Sequence, residues 1–254
     1  MRISLLPKLL MIVLLLVADA GFASAAEVKV FSTPTLKSAM DVLGPQFERA
    51  TGHKLMLTYN SAAALKHRIE GGEPFDVAIL LPPMVDDLAR QGRVATGTRT
   101  DVARSVVGVA IHAGLPKPDV NTVDALRQTL LHAKSISYAA DSASGAYLVG
   151  LLDRLGIAAE AKPQLKVVPG GRVIEAVASG EAELTVITVP NIVGVPGVEL
   201  AGLLPAELQH YTVFSAAIAA QPKDAKAAEA LVKFLMSPQA TSVLETKGLE
   251  RIAH

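Results

Sequence analysis

Three short apolar runs near the front of this chain are separated by two stretches of helical spacing, and that alternation restricts the fold more than any other feature. Val28–Phe31 has β-branched character; after Ser32-Thr33-Pro34-Thr35, the residues Leu36, Met40, Leu43 and Phe47 recur every three or four positions, which is the apolar stripe of a helix. Thr51-Gly52 ends that helix. Lys54–Tyr59 then reads as a strand, Ala63–Ile69 as a helix, Asp76–Leu81 as a strand, and Met84–Gln91 as a helix stopped by Gly92. Strands that are joined through helices lie parallel in one sheet with the helices on its faces, because parallel neighbours need a long crossover.

The pattern then starts again. Strands are expected at Ser105–Ile111, Ser135–Ala139, Lys166–Val168, Glu183–Val189 and Val213–Ala219, with helices at Val123–Leu131, Tyr147–Leu155, Val173–Ala178, Ala225–Met236 and Gln239–Lys247. Two α/β units follow from this. The expected division gives 26–105 and 213–254 to one lobe and 106–212 to the other, with linking strands near Ser105–Ile111 and Tyr211–Ala217. Open α/β sheets bind ligands outside the carboxyl ends of their strands, and two such lobes facing each other make a cleft that can close about a hinge.

The first 25 residues stand outside this pattern. Arg2 and Lys8 precede the apolar run Leu9–Val17, and Ala23-Ser24-Ala25 ends the stretch in small residues, the arrangement of a cleavable signal peptide. The run is short for a membrane span, so a periplasmic product starting near Ala26 is expected. The sequence has no cysteine, which excludes disulfides, thiolate metal sites and thiol nucleophiles. Setting aside Arg2, Lys8 and Asp19 reduces the 24 basic and 24 acidic residues to 22 and 23, and aromatics are 4% with no Trp. Neither the basic patch nor the stacking platform of a nucleic-acid binder is present in that composition.

Four strand-to-helix junctions combine small or hydroxyl residues with a coming helix: Ser32–Thr35, Asn60–Ala62, Ser142–Gly145 and Pro169–Arg172. Two belong to each unit. Each has a plain reading, in which the hydroxyl caps its own helix. Together they admit another, in which helix amides and hydroxyls from both lobes surround one small oxyanion without a lysine salt bridge.

The runs VFSTPTLKSAM and YNSAAALKHRIEGGEPFDVAIL, with VIEAVASGEAELTVI and ALVKFLMSPQATSVLETKGL further on, resemble the molybdate-binding family of periplasmic ABC-transporter proteins, in order and over nearly all of the chain after the leader. The resemblance implies a two-lobed, type II periplasmic-binding fold of the α/β class, each lobe a mostly parallel sheet flanked by helices, with a two-strand hinge. It also implies a small anionic ligand held by hydroxyls and amides, an ABC transporter permease as partner, a monomer, and no cofactor. The family's first-strand serine falls on Thr35, and its second on Ala62, beside Ser61. Its backbone contacts fall near Ser144 and Gly170, and the tyrosine that usually ends the following strand is Thr188. Arg172 lies close by. A lost serine, a lost tyrosine and a nearby guanidinium, which can grip a carboxylate through two parallel bonds, point to a remade pocket. The expected contacts are therefore Ser32, Thr35, Ser61, Ala62, Ser144, Gly170, Arg172 and Thr188, while Arg172 also reads as a solvent-facing residue in a first helical turn. Lys66, His67 and Arg68 are expected on a solvated face, with one of them at the cleft rim as the alternative, and Asp76 in a structural role.

Other chemistries leave no mark. The histidines at 53, 67, 112, 132, 210 and 254 have no metal-ligand spacing, and there is no P-loop, dinucleotide fingerprint or Gly-x-Ser-x-Gly elbow. Aconitate isomerases resemble the same binding-protein family, so an isomerase of unsaturated tricarboxylates acting in the same cleft is the alternative to an oxyanion binder, with no residue marked as its base.

Overall fold

The computed structural model describes residues 25–140, 142–169 and 172–252. Nearly all of the expected leader and the expected contact Gly170 lie outside these residues. The first unit forms as its periodicity requires. Strand β1 (Glu27–Ser32) leads through a short turn (Pro34–Leu36) into helix α1 (Lys37–Thr51), then β2 (Lys54–Tyr59), α2 (Ala62–Glu70), β3 (Val77–Leu80) and α3 (Pro82–Arg90). β1 pairs in parallel with β2 and with β3. Alternation along β1 divides the core: Val28 and Val30 pack with Leu36, Met40, Leu43 and Phe47 from the α1 side, while Phe31 packs with Leu65, Ile69 and Phe75 on the other face.

The stretch expected as one strand from Ser105 is two. β4 (Thr100–Ser105) belongs to the first sheet and β5 (Val107–His112) to the second, so the chain changes sheet at Val106. An unbroken apolar run hides this break, because both halves are buried. The second unit continues with α4 (Val123–His132), β6 (Ile136–Tyr138), α5 (Ala143–Arg154), α6 (Ala158–Ala161), β7 (Leu165–Val167), α7 (Val173–Ala178), β8 (Leu184–Thr188) and β9 (Val198–Leu203). The chain then returns to the first sheet through β10 (Thr212–Ile218), followed by α8 (Ala225–Leu235), α9 (Pro238–Thr246) and β11 (Leu249–Glu250). The strand orders are β11-β4-β10-β3-β1-β2 and β7-β6-β8-β5-β9.

Each sheet is parallel where helices connect its strands and antiparallel where the sheet-changing strands enter. β10 runs against β3 and β4, and β5 runs against β8 and β9. Strand β9, reading VELAGL, has no counterpart among the expected strands. It is a partly exposed edge strand with a glycine inside, and such strands carry little apolar alternation. Asp76 has the structural role expected of it: 4% exposed, its carboxylate accepts from the amides of Lys29 (2.7 Å) and Lys223 (2.6 Å). It thereby ties the start of β1 to the segment after β10.

Candidate functional site

The strand ends of the first sheet present hydroxyls that the protein itself does not use. Ser32 closes β1 fully buried, Thr33 follows at 6% exposure, and neither hydroxyl oxygen has a hydrogen-bond partner. Folding strips both groups of water, and such a group costs stability unless something satisfies it. Buried unpaired polar atoms are uncommon enough that two adjacent ones need a reason.

The amides next to them come from α2. Ser32 is in register with Tyr59 at the end of β2, and the Asn60 amide donates to the Ser32 carbonyl (3.3 Å), which brings the α2 N-terminus beside β1. Ser61 is its N-cap: its Oγ accepts from the Ala64 amide (3.2 Å) and its carbonyl from Leu65 (3.0 Å), while Asn60 Oδ1 accepts from the Ser61 amide (2.8 Å). The amides of Ala62 and Ala63, in the first turn, have no intrahelical acceptor. Ser61 thus caps the helix as expected, and the Ala62 amide is left without an intrahelical acceptor. Thr35 is half-buried in the turn Pro34–Leu36. Tyr59 adds a third buried, unpartnered hydroxyl. Burial, and after it the charge of Asp41, pushes its pKa up to about 12, so the phenol is a neutral donor at physiological pH.

The second sheet supplies the matching edge. Ser142 caps α5, accepting from the Gly145 amide (3.0 Å) and donating to the Ala139 carbonyl (2.9 Å), with Ser144 Oγ 3.1 Å from its own oxygen. Gly145 is required here: a Cβ at that position would lie 1.8 Å from the Ala139 carbonyl oxygen. Thr188 ends β8 opposite Val107, and its Oγ1 accepts from Asn191 Nδ2 (2.8 Å). The turn after it, Val189–Asn191, lies beside the turn Pro34–Leu36 of the first unit. The carboxyl ends of β1 and β8 thus face each other across the gap between the sheets.

The structure brings Ser32, Ser61 and Ala62 together at one strand edge, Ser144 and Thr188 at the other, and Thr35 between them. It does not bring Arg172 to them. That side chain is 55% exposed and paired with Glu181 (3.3 Å) and Glu175 (3.7 Å), which matches the solvent-facing reading. Lys66 bonds to Glu70 and to Asp87, and Arg68 to Glu73, as a solvated face should. Sequence reasoning missed Thr33 and Tyr59, whose relevance lies in an unmet hydrogen bond that no motif records. It also missed Tyr147 and His210, which with Ser144 and Thr188 line a cavity of about 80 Å³ over Val107 and Val186. The spacing of Ser144 and Tyr147, one helical turn apart, was the available signal for one of them.

A family model for bacterial extracellular solute-binding proteins matches residues 28–250. The aconitate isomerase of a Pseudomonas species is 32% identical over 255 residues, 97% of each chain. The molybdate-binding protein ModA of Azotobacter vinelandii is 28% identical over 233 residues, 89% of this chain and 90% of its own. A solved transporter substrate-binding domain from Clostridium difficile superimposes with a TM-score of 0.79 at 19% identity, covering 90% of this chain and 100% of that one. The last likeness speaks for the two-lobed binding-protein fold.

Proposed function

The chain belongs to the bacterial extracellular solute-binding protein family, and we propose that within it this protein captures a small oxyanion, molybdate-like or carboxylate, between the strand ends of its two sheets and hands it to a membrane ABC permease. It works as a monomer in the periplasm after loss of residues 1–25. The observation that carries this reading is the pair of buried, unpartnered hydroxyls on Ser32 and Thr33, beside the uncapped amides of Ala62 and Ala63. An anion there meets neutral donors and the positive end of a helix dipole. Nearby cations are already matched, Lys37 to Asp41 and Lys66 to Glu70 and Asp87. Neutral coordination suits a carrier that must release its cargo. Contacts from both strand edges favour the closed arrangement, so the ligand shifts the hinge in proportion to its preference for that state.

A second reading is catalysis. Its support is the 32% identity to an aconitate isomerase over 97% of both chains. In that case the same seat holds a tricarboxylate while a base moves a proton between two of its carbons.

One experiment separates them. The ligand-stripped exported protein is melted with molybdate, tungstate, sulfate, phosphate, citrate and both aconitates, and the aconitate samples are followed by NMR for interconversion. A ligand at a hundred times its dissociation constant adds about 2.7 kcal/mol, a shift of several degrees. Stabilisation without turnover supports capture, turnover supports the isomerase, and no stabilisation by any anion removes both.

A further inference from the structure

We infer that the cavity at the end of β8 is a subsite for a carboxylate arm of the ligand, so that the anion this protein takes carries carboxyl groups separated by carbon atoms. The inference rests on the anion-capture reading above and deepens it. Three observations support it. First, position: Thr188 lines the cavity and leads directly into the turn Val189–Asn191, which lies beside the turn Pro34–Leu36. A ligand seated at Ser32 and Thr33 therefore has the cavity across the same gap.

Second, size. Thr188, a short side chain, is among the residues around about 80 Å³ of open space, the share of two or three water molecules in the liquid. A carboxyl group with its attached carbon fits that space. A tetrahedral oxyanion held at the hydroxyl seat has no group to send there.

Third, chemistry. The Ser144 hydroxyl gives its proton to Ser142 Oγ, whose own proton goes to the Ala139 carbonyl, so Ser144 adds a polar rim atom but not a free donor. Thr188 Oγ1 already accepts from Asn191, so its own proton is available to a ligand oxygen. His210 places an imidazole at the cavity mouth, its ring centroid 5.3 Å from that of Tyr147. Tyr147 in turn donates its hydroxyl proton to the Leu208 carbonyl, which holds the rim in place. Among the described residues no carboxylate side chain lines the cavity, and its floor of Val107 and Val186 is apolar. Donors on the rim and methyl groups below are the surroundings a carboxylate arm on a methylene needs.

The test uses tricarballylate, a saturated tricarboxylate that cannot undergo the isomerisation, with molybdate as the compact anion. Calorimetry on the exported protein is expected to show tricarballylate binding. Thr188→Tyr, which fills the cavity, and His210→Asn, at an exposed position, are each expected to weaken it thirtyfold or more. Losses under threefold in His210→Asn overturn the subsite whether or not Thr188→Tyr folds. Binding of molybdate but not tricarballylate by the unaltered protein overturns the subsite and leaves anion capture standing. Binding of neither overturns the subsite, and where no anion of the melting series stabilises the protein, anion capture falls with it.

Discussion

Ser32 and Thr33 separate hydroxyls that bond within the fold from those that do not. A buried hydroxyl that bonds within the fold stabilises it; one without a partner costs about 1–3 kcal/mol. Neither has a protein partner here. The double variant Ser32→Ala, Thr33→Val should therefore melt at or above the temperature of the parent in the absence of ligand, while losing at least tenfold in affinity for the stabilising anion. A lower melting point with unchanged affinity would make both hydroxyls part of the scaffold. Gly145 shows the opposite kind of residue. Its importance lies in lacking a Cβ where α5 meets the Ala139 carbonyl.

Helices α2 and α3 are joined by charge. Lys66 bonds to Glu70 along its own helix and to Asp87 on the next, and Arg68 holds Glu73, in the loop from α2 to β3, with two hydrogen bonds. The Lys66 ammonium, acting first through its hydrogen bonds, holds the Glu70 and Asp87 carboxyls below their ordinary values, and Arg68 does the same to Glu73. The sign follows directly: carboxylates depressed in the folded state contribute stability above their unfolded pKa, and that contribution is lost as pH falls through the folded values. These groups are open to solvent, so salt weakens their effect. Lys66→Met should narrow the melting-temperature difference between pH 7 and pH 3 at low salt, and 1 M salt should reduce the gap between variant and parent. An identical pH profile for the two proteins would show that the cluster is energetically silent.

Across the whole molecule the two sheets are linked at two crossings, Val106 and the segment between Leu203 and Thr212. On one side Arg104 lies over the Tyr211 ring (4.3 Å to its centroid) and bonds to Glu250 (2.8 Å), holding both crossings and β11 together. On the other, the turn at Gly248 leans on Val189 of the second unit. Gly248 has φ +74, and a Cβ there would lie 2.6 Å from Val189 Cγ1. Gly248→Val should push this contact apart and populate the open arrangement. The apparent affinity for the anion then falls by the fraction left competent, about tenfold, and small-angle scattering of the liganded protein shows a larger radius of gyration. Unchanged scattering and affinity would mean that the contact does not govern closure.

Local chemistry alone determined much of this protein. The three- and four-residue spacing of Leu36, Met40, Leu43 and Phe47, the alternation along β1 and the small residues at strand ends specify α/β units with capped helices at their junctions, because periodicity and capping act over a few residues. The capping of α2 by Ser61 and of α5 by Ser142 was legible for the same reason. The tertiary structure decided what depends on distant partners. It split the run from Ser105 into strands of different sheets, added β9 as an edge, and paired Arg172 with Glu181 rather than with the strand ends. It also left Ser32, Thr33 and Tyr59 buried with unmet hydrogen bonds, and opened a cavity between Ser144 and His210. Burial and hydrogen-bond satisfaction are properties of an assembled neighbourhood, drawn from residues tens to more than a hundred positions apart, and no local pattern encodes which polar group the finished fold will leave for a ligand.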